Sequence, residues 1–362
     1  MGEDIRYWVG IDAHSGSHVA AVAPAGSSEV VELGRFAGDG DGLLRRLRRY
    51  PAGSVSACYE AGPLGYWLQR RLTAAGIACA VIAPSLIPRS AGERARKTDR
   101  RDAVKLARLW RSGDLTAVVS PDPAHEAVRE LSRGRGAAVS DVVRARQRLA
   151  AFVLRHDKRY AGKAWTGKHR QWLAGLSFEH DASRRWLELS LTTLDEACGR
   201  RDAMTAALEE AIAGWSLGWQ VEALRALRGI GPVVAATLSA ELGDLRRFSR
   251  PGELMSYVGL ISGERSSDQR RITLGITRTG NRRARTALVE AAWSYTRPAK
   301  AIPPRPEVPA ALALIAAKAQ ARLSRRYRHL TRHGKRSTVA VTAIARELAG
   351  FVWHVAHSAR PG

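Results

Sequence analysis

Cysteine is scarce in this chain. Cys58, Cys79 and Cys198 are the three present, far apart, with no CxxC pair and no histidine-rich segment to partner them. That argues against a zinc site and against a disulfide framework, and it fits a reducing compartment. Long apolar runs are missing too. Residues 1–8 are charged and lead straight into a strand-like segment without a signal core, and no later stretch approaches a membrane span. The expectation is a cytoplasmic protein with no membrane partner. Acids are also few, with 34 Asp and Glu against 58 Lys and Arg, a net charge of +24. A preference for arginine over lysine explains which cation is used, but not why acids are so few. A surface this basic attracts polyanions and releases their counterions, which favours nucleic acid.

What is present is ordinary for a globular chain: 362 residues, 45% hydrophobic and 25% charged, enough for two or three cores. The first third alternates strand and helix patterns. Tyr7 to Ile11, His18 to Ala23 and Glu29 to Phe36 read as three strands in a meander. A helix with Leu43, Leu44 and Leu47 on one face follows, then a strand at Ser54 to Tyr59 and a helix at Gly65 to Ala75. A strand at Ile77 to Ile82 and a helix from Asp99 to Trp110 complete the series. That order is the topology of a ribonuclease-H-like domain, a mixed sheet with helices on its faces. From Val128 to Glu210 the pattern is helical and amphipathic. Charges interleave the apolar stripe, so a long arm or coiled coil is preferred to a plain bundle. The predicted fold is therefore α/β plus all-α, in three domains: 1–127, a helical middle at 128–215, and a helical C-terminal domain at 216–362. Four prolines make Ala299 to Pro309 a linker, and a basic run from Arg322 to Arg336 precedes a helix at Val339 to His357.

The acids that exist fall in telling places. Asp12 ends the first strand in VGIDAH, and Glu60 ends the fourth in ACYEAG. Asp99 and Asp102, in KTDRRDA, sit three apart at the start of a helix and so share a face. In the expected fold strands one and four are neighbours and this helix packs across their ends, so all four carboxylates can converge. Four converging acids need cations, and an all-oxygen donor set suits magnesium or manganese. Two such ions would stabilise the attacking and leaving oxygens of a phosphoryl transfer.

The C-terminal part carries phosphate-binding chemistry. LRGIGPVVAATL places Gly229 and Gly231 before a helix, as in the turn of a helix-hairpin-helix element, where backbone N–H groups approach a phosphate. An ordinary helix turn fits this pattern equally well. From Tyr257 to Leu288 the chain reads as a polar loop between helices. It holds Ser266 and Ser267 among Arg265, Arg270, Arg271, Arg278, Arg282, Arg283 and Arg285. A hydroxyl among arginines either attacks a phosphodiester or contacts backbone oxygens, and the residues alone favour the contact.

VGIDAH, the strand ending in YEA, KTDRRDA, the GIGP turn, SYVGL and ITRTGNRRAR together resemble the DEDD insertion-sequence transposases related to the Piv DNA invertase. The resemblance implies a RuvC-like domain whose tetrad is Asp12, Glu60, Asp99 and Asp102, and a C-terminal transposase domain with a catalytic serine. Counting along the loop puts that serine at Ser267, with Ser266 as the other candidate. Ser262 stands where the family often has proline, and Asp268 where glycine follows the serine. The resemblance also implies donor and target DNA, a structured guide (bridge) RNA, and a homo-oligomer, dimer or tetramer, in which one subunit's serine meets another's carboxylates. The expected activity is metal-dependent strand cleavage and exchange that mobilises an insertion sequence. Two other readings stand beside it: a RuvC-like junction nuclease that uses water, and a non-catalytic nucleic-acid-binding protein. Affinity for nucleic acid should fall steeply with salt, since most contacts join Arg or Lys to phosphate. A flat plot of log binding constant against log salt would show that the charge is not used this way.

Overall fold

Residues of the first strand alternate between two environments. Val9 and Ile11 are fully buried on one face, while Gly10 and Asp12 point to the other. The strand, β1 (Tyr7–Ala13), pairs antiparallel with β2 (Ser17–Pro24), which pairs with β3 (Val31–Ala37). On its other side β1 runs parallel to β4 (Val55–Glu60), and β4 parallel to β5 (Ala78–Ile82). A short β6 (Ala117–Val118) closes the order β3-β2-β1-β4-β5-β6. The computed structural model describes residues 5–88, 98–267, 270–297 and 308–359. They divide into two compact units, 1–121 and 122–362.

In the first unit, helices α1 (Asp41–Leu47) and α2 (Trp67–Ala74) bring Leu43, Leu47, Leu68 and Leu72 onto the Val9/Ile11 face. Each is almost fully buried, worth about 1.5–3 kcal/mol relative to exposure. The opposite face is covered by α3 (Asp99–Ser112), whose Ala103 and Leu106 pack on Val19, Ala21, Cys58 and Ile82. Contact is closest at Gly10. A Cβ there would lie 2.2 Å from Ala103 O and 2.3 Å from Ala107 N, so only glycine lets the helix rest on the strand. Trp110 Nε1 donates to Ser56 Oγ at 2.9 Å and ties the helix to β4. Thr98 caps its start through Oγ1, and Gly113 (φ 78°) ends it. This mixed sheet with helices on both faces is consistent with a ribonuclease-H-like domain.

The second unit opens with α4 (Pro123–Arg155), which runs unbroken across 127/128, so the compact units part at 121/122 instead. Asp122 caps it, its carboxylate accepting from His125 N at 2.7 Å. With α6 (Asp181–Ala213) it forms an antiparallel pair of 33-residue helices, each about 50 Å long. Phe152 stacks on Trp186 at one end, and Arg135 Nε bonds Thr205 Oγ1 nearer the other. Between them in sequence lies α5 (Gly167–Ala174), with Leu173 packed into the same cluster. The remaining helices are α7 (Gly218–Leu224), α8 (Pro232–Leu242), α9 (Pro251–Tyr257), α10 (Arg282–Ala292), α11 (Ala310–Arg332) and α12 (Ser337–Ser358). They share one core. Helix α12 meets the length and composition needed to cross a membrane, contrary to the expectation that no stretch would. Its Ile344, Leu348, Val352 and Val355 are fully buried within that core.

The segment expected to be a loop is instead a β-hairpin, β7 (Ser262–Ser267) with β8 (Arg270–Ile276). The residues of β7 are polar throughout and lack the apolar alternation that marks a half-buried strand, and β8 carries it only over Ile272, Leu274 and Ile276. Two glycines fasten its base. Gly259 (φ 66°) and Gly280 (φ 73°) each bring backbone against backbone: a Cβ would lie 2.1 Å from Thr279 O and 2.0 Å from Tyr257 O respectively. Arg285 Nη1 donates to Val258 O and Thr279 O, at 2.8 and 3.0 Å. Asn281 caps α10 through Oδ1, and its Nδ2 donates to Glu241 Oε2 at 2.9 Å. Glu241, 1% exposed, also accepts two bonds from Arg133 at 2.7 and 2.9 Å. Burial alone would raise this carboxyl, but the bonds from Arg133 and Asn281 and the charges of Arg133 and Arg129 hold it below the usual glutamate range.

Gly10→Ala should destabilise the first unit by about 2–3 kcal/mol, since backbone atoms must shift to admit the methyl group. Gly16→Ala, with open space around it, should change stability by less than about 0.5 kcal/mol. Urea unfolding of the full chain, followed by hydrogen exchange in residues 7–60, separates the two. A Gly10→Ala chain as stable as wild type would show that the helix does not rest on this strand.

Glu241→Ala should lower the stability of the second unit by about 2 kcal/mol, below the usual figure for breaking a buried pair because Arg133 is half exposed. A depressed carboxyl contributes stability that is complete above the ordinary value of 4.5 and disappears as pH falls through the folded-state value. The gap between wild type and variant should therefore narrow on acidification. A gap that does not change with pH would show that the carboxylate charge is not what holds the network.

Candidate active site

Strand register sets the first two acids side by side. Ile11 pairs with Tyr59, so Asp12 and Glu60 come next on two parallel neighbours, both on the face that carries α3. The close approach of α3 at Gly10 then brings its first turn, with Asp99 and Asp102, toward the end of β1.

Ligand atoms of Asp12, His14 and Asp99 lie within 4.8 Å of one another. Glu60 and Asp102 are not part of that tight group. Asp102 still acts on Asp12 through its charge. His14 Nε2 is 3.1 Å from Asp12 Oδ2 and 3.9 Å from Asp99 Oδ1. Arg35, on β3, donates to Asp99 Oδ2 at 2.8 Å and to Ser17 Oγ at 2.7 Å. Burial raises the Asp12 carboxyl above its ordinary value. His14 opposes this, while the charges of Asp99 and Asp102 add to it. The hydrogen bond from Arg35 holds the more exposed Asp99 below the usual range. Sequence reasoning missed His14 and Arg35. The signal for His14 was its spacing of two from Asp12 along a strand, which puts both side chains on one face. The signal for Arg35 required the β2–β3 pairing of Val19 with Arg35, which no local pattern shows.

The donors present fit a divalent cation. Carboxylate oxygens on two rigid elements converge, one of them half-desolvated and raised by its acidic neighbours, which is the electrostatic state that a bound cation relieves.

The other expected residues lie in the second unit. Gly229 (φ 83°) sits in the turn between α7 and α8, where a Cβ would meet Ala291 O at 2.4 Å, so its missing side chain makes room for the end of α10. Gly231 precedes α8 and faces open space. In the hairpin Ser267 pairs with Arg270 and Ser266 with Arg271. Their side chains and that of Arg265 lie outside the described residues. Arg278 (φ 57°) is in the fastened segment after β8, Arg282 and Arg283 begin α10, and Arg285 is engaged with the backbone of Val258 and Thr279. Most of the proline-rich stretch 299–309 also lies outside the described residues.

Comparison with known proteins agrees with this arrangement. Residues 9–156 match the DEDD transposase profile of IS110, and residues 221–303 match the profile described as the transposase IS116/IS110/IS902 family. A transposase of Sinorhizobium fredii, y4qE, is 44% identical over 362 residues, covering 98% of this chain and 89% of that protein. The transposase for insertion sequence element IS1533 of Leptospira borgpetersenii is 29% identical over 338 residues, covering 90% and 96%. A second Sinorhizobium fredii transposase, y4rJ, is 30% identical over 312 residues, covering 77% of each. With its acids at strand ends and a similarity that runs almost the whole length, the chain belongs to the IS110 family of DEDD transposases, DNA-binding enzymes that cut DNA and transfer its strands.

Proposed function

We propose that this transposase mobilises its insertion sequence with Asp12, Glu60, Asp99 and Asp102 as the tetrad that holds magnesium or manganese and Ser267 as nucleophile. The carrying observation is the placement of Asp12 and Glu60 at adjacent strand ends with Asp99 brought to Asp12 by α3. Bound divalent cations supply charge neutralisation at the attacking and leaving oxygens. Asp12, oriented by His14, and Glu60 would hold the cations against which the phosphodiester is positioned, since a carboxylate alone repels phosphate. Ser267 Oγ bonds to phosphorus as the bond to one deoxyribose oxygen breaks. The serine proton leaves to a tetrad carboxylate, because arginine, the residue that surrounds Ser267, stays protonated and cannot accept it. The freed deoxyribose hydroxyl takes a proton and later displaces Ser267 from a second strand end, which completes the exchange.

Three further parts of the reading rest on the resemblance and on charge. A structured guide RNA pairs with donor and target DNA, and the net charge of +24 suits two polyanions. The tetrad acts from 1–127 and the serine from 216–362. Segment 128–215, which holds α6 and most of α4, is the arm through which two or four copies assemble. The serine of one subunit meets the tetrad of another only in that assembly.

Asp12→Asn and Glu60→Gln should each reduce strand cleavage by at least about 10²-fold while DNA binding survives. Ser267→Ala should abolish the covalent protein–DNA adduct. Mixing Ser267→Ala chains with Asp12→Asn chains, each inactive alone, should restore part of the recombination, with the adduct trapped on the Asp12→Asn chain. Cleavage that persists in excess chelator removes the metal site. A fully active Ser267→Ala chain moves the nucleophile to Ser266 or to water, as in a junction nuclease.

A further inference from the structure

A cleft of about 350 Å³ opens beside the turn between α7 and α8, lined by Arg228, Trp293, Ser294, Thr296 and Arg297. It forms because Gly229 lets that turn close on Ala291 and Ser294 at the end of α10, where Trp293–Thr296 make a single 3-10 turn. Thr296 Oγ1 donates to Trp293 O at 2.8 Å and pins this turn. Arg228 Nη1 is shut off from solvent without a hydrogen-bond partner among the described residues, and so is the hydroxyl of Tyr295 in the same turn. Buried donors left unpaired are expensive, and a guanidinium most of all. Among the described residues no acidic side chain lines the cleft, so the chemistry of these residues calls for an anion. Trp293, 39% exposed, adds an aromatic face beside the two guanidiniums.

Arginines that hold a phosphate, hydroxyls within reach of sugar or phosphate oxygens and an indole free to stack make up the recognition set for a nucleotide. A base inside a duplex already has both faces covered, so the indole selects one that is unpaired. We infer that this cleft binds a single unpaired nucleotide of a nucleic-acid strand, its base on Trp293 and its phosphate on Arg228 and Arg297. The inference goes beyond the catalytic reading and does not depend on it, since neither the tetrad nor Ser267 takes part.

The test uses the full chain and labelled oligonucleotides of about 12 residues: single-stranded DNA, the matching RNA, and duplex DNA of the same length, with affinity read by fluorescence anisotropy across a salt series. Trp293→Ala should weaken binding of at least one single strand about tenfold, and Trp293→Phe should keep most of it. Duplex affinity should stay within about twofold of wild type, because phosphate contacts elsewhere dominate it. Arg228→Gln and Arg297→Gln should each flatten the single-strand salt slope by about 0.7. The strand with the larger loss identifies the source of the nucleotide as DNA or RNA, and equal losses mean that the cleft accepts both. Single-strand affinities unchanged in Trp293→Ala, or duplex affinity falling as far as single-strand affinity, would overturn the assignment. Circular dichroism confirms folding, and the exposed Arg297 provides a variant in which folding is not at stake. Cleavage is not read, so failure of the tetrad or of Ser267 leaves this result standing.

Discussion

Where α3 crosses β1, backbone rests on backbone at Gly10, and much of the first unit depends on that contact. A strand residue with any side chain would hold the helix off by the thickness of a methyl group or more. At Gly10 the helix instead reaches the sheet directly, with Ala103 and Ala107, both small, completing the fit. Asp12 lies two residues further along the same face, and Asp99 one helical turn before Ala103. The separation between these two carboxylates is therefore set first by packing, with His14 and Arg35 adding attraction around it.

The same unit shows how those charges are kept in place. Asp12, drawn into the sheet, is raised by burial and by its acidic neighbours, whereas Asp99 at the rim is lowered by Arg35. Two carboxyls pushed in opposite directions within one cluster do not compete for the same proton. His14 touches both and keeps Asp12 oriented. In a chain with 58 basic residues, these acids form a small cluster of negative charge on a positive protein.

Much of this was legible beforehand. The strands of the first unit were readable because each is a short run of β-forming residues bounded by turn residues, and Asp12 and Glu60 stood out because each directly follows an apolar strand. Arg35 was not, since its relevance comes from pairing across β2 and β3. The hairpin from Ser262 was read as a loop because β7 is polar on both faces and the short alternation of Ile272, Leu274 and Ile276 in β8 stands among arginines and glycine. Helix α12 had the opposite problem: one side of it is buried in the core, and its alanines and glycine hid how apolar it is. The motif residues Gly259, Gly280, Asn281 and Arg285 stood out in the sequence as a resemblance, but their work is mechanical, and only backbone distances reveal it. Glu241 gave no signal at all, being one acid in an apolar helix.

The clasp made by Gly259 and Gly280 closes across the chain on either side of the hairpin, with Thr277 N bonded to Ile261 O at 2.9 Å as its last rung. Much of what secures it lies outside residues 262–276: α8 through Glu241, α9 through Tyr257, and α10 through Asn281 and Arg285. The hairpin is thus carried on a fixed mount, with Ile276 at its end packed on the core. A change of charge or length between residues 262 and 275 alters what the strands present without moving their address in the fold, so position and chemistry are set by different residues.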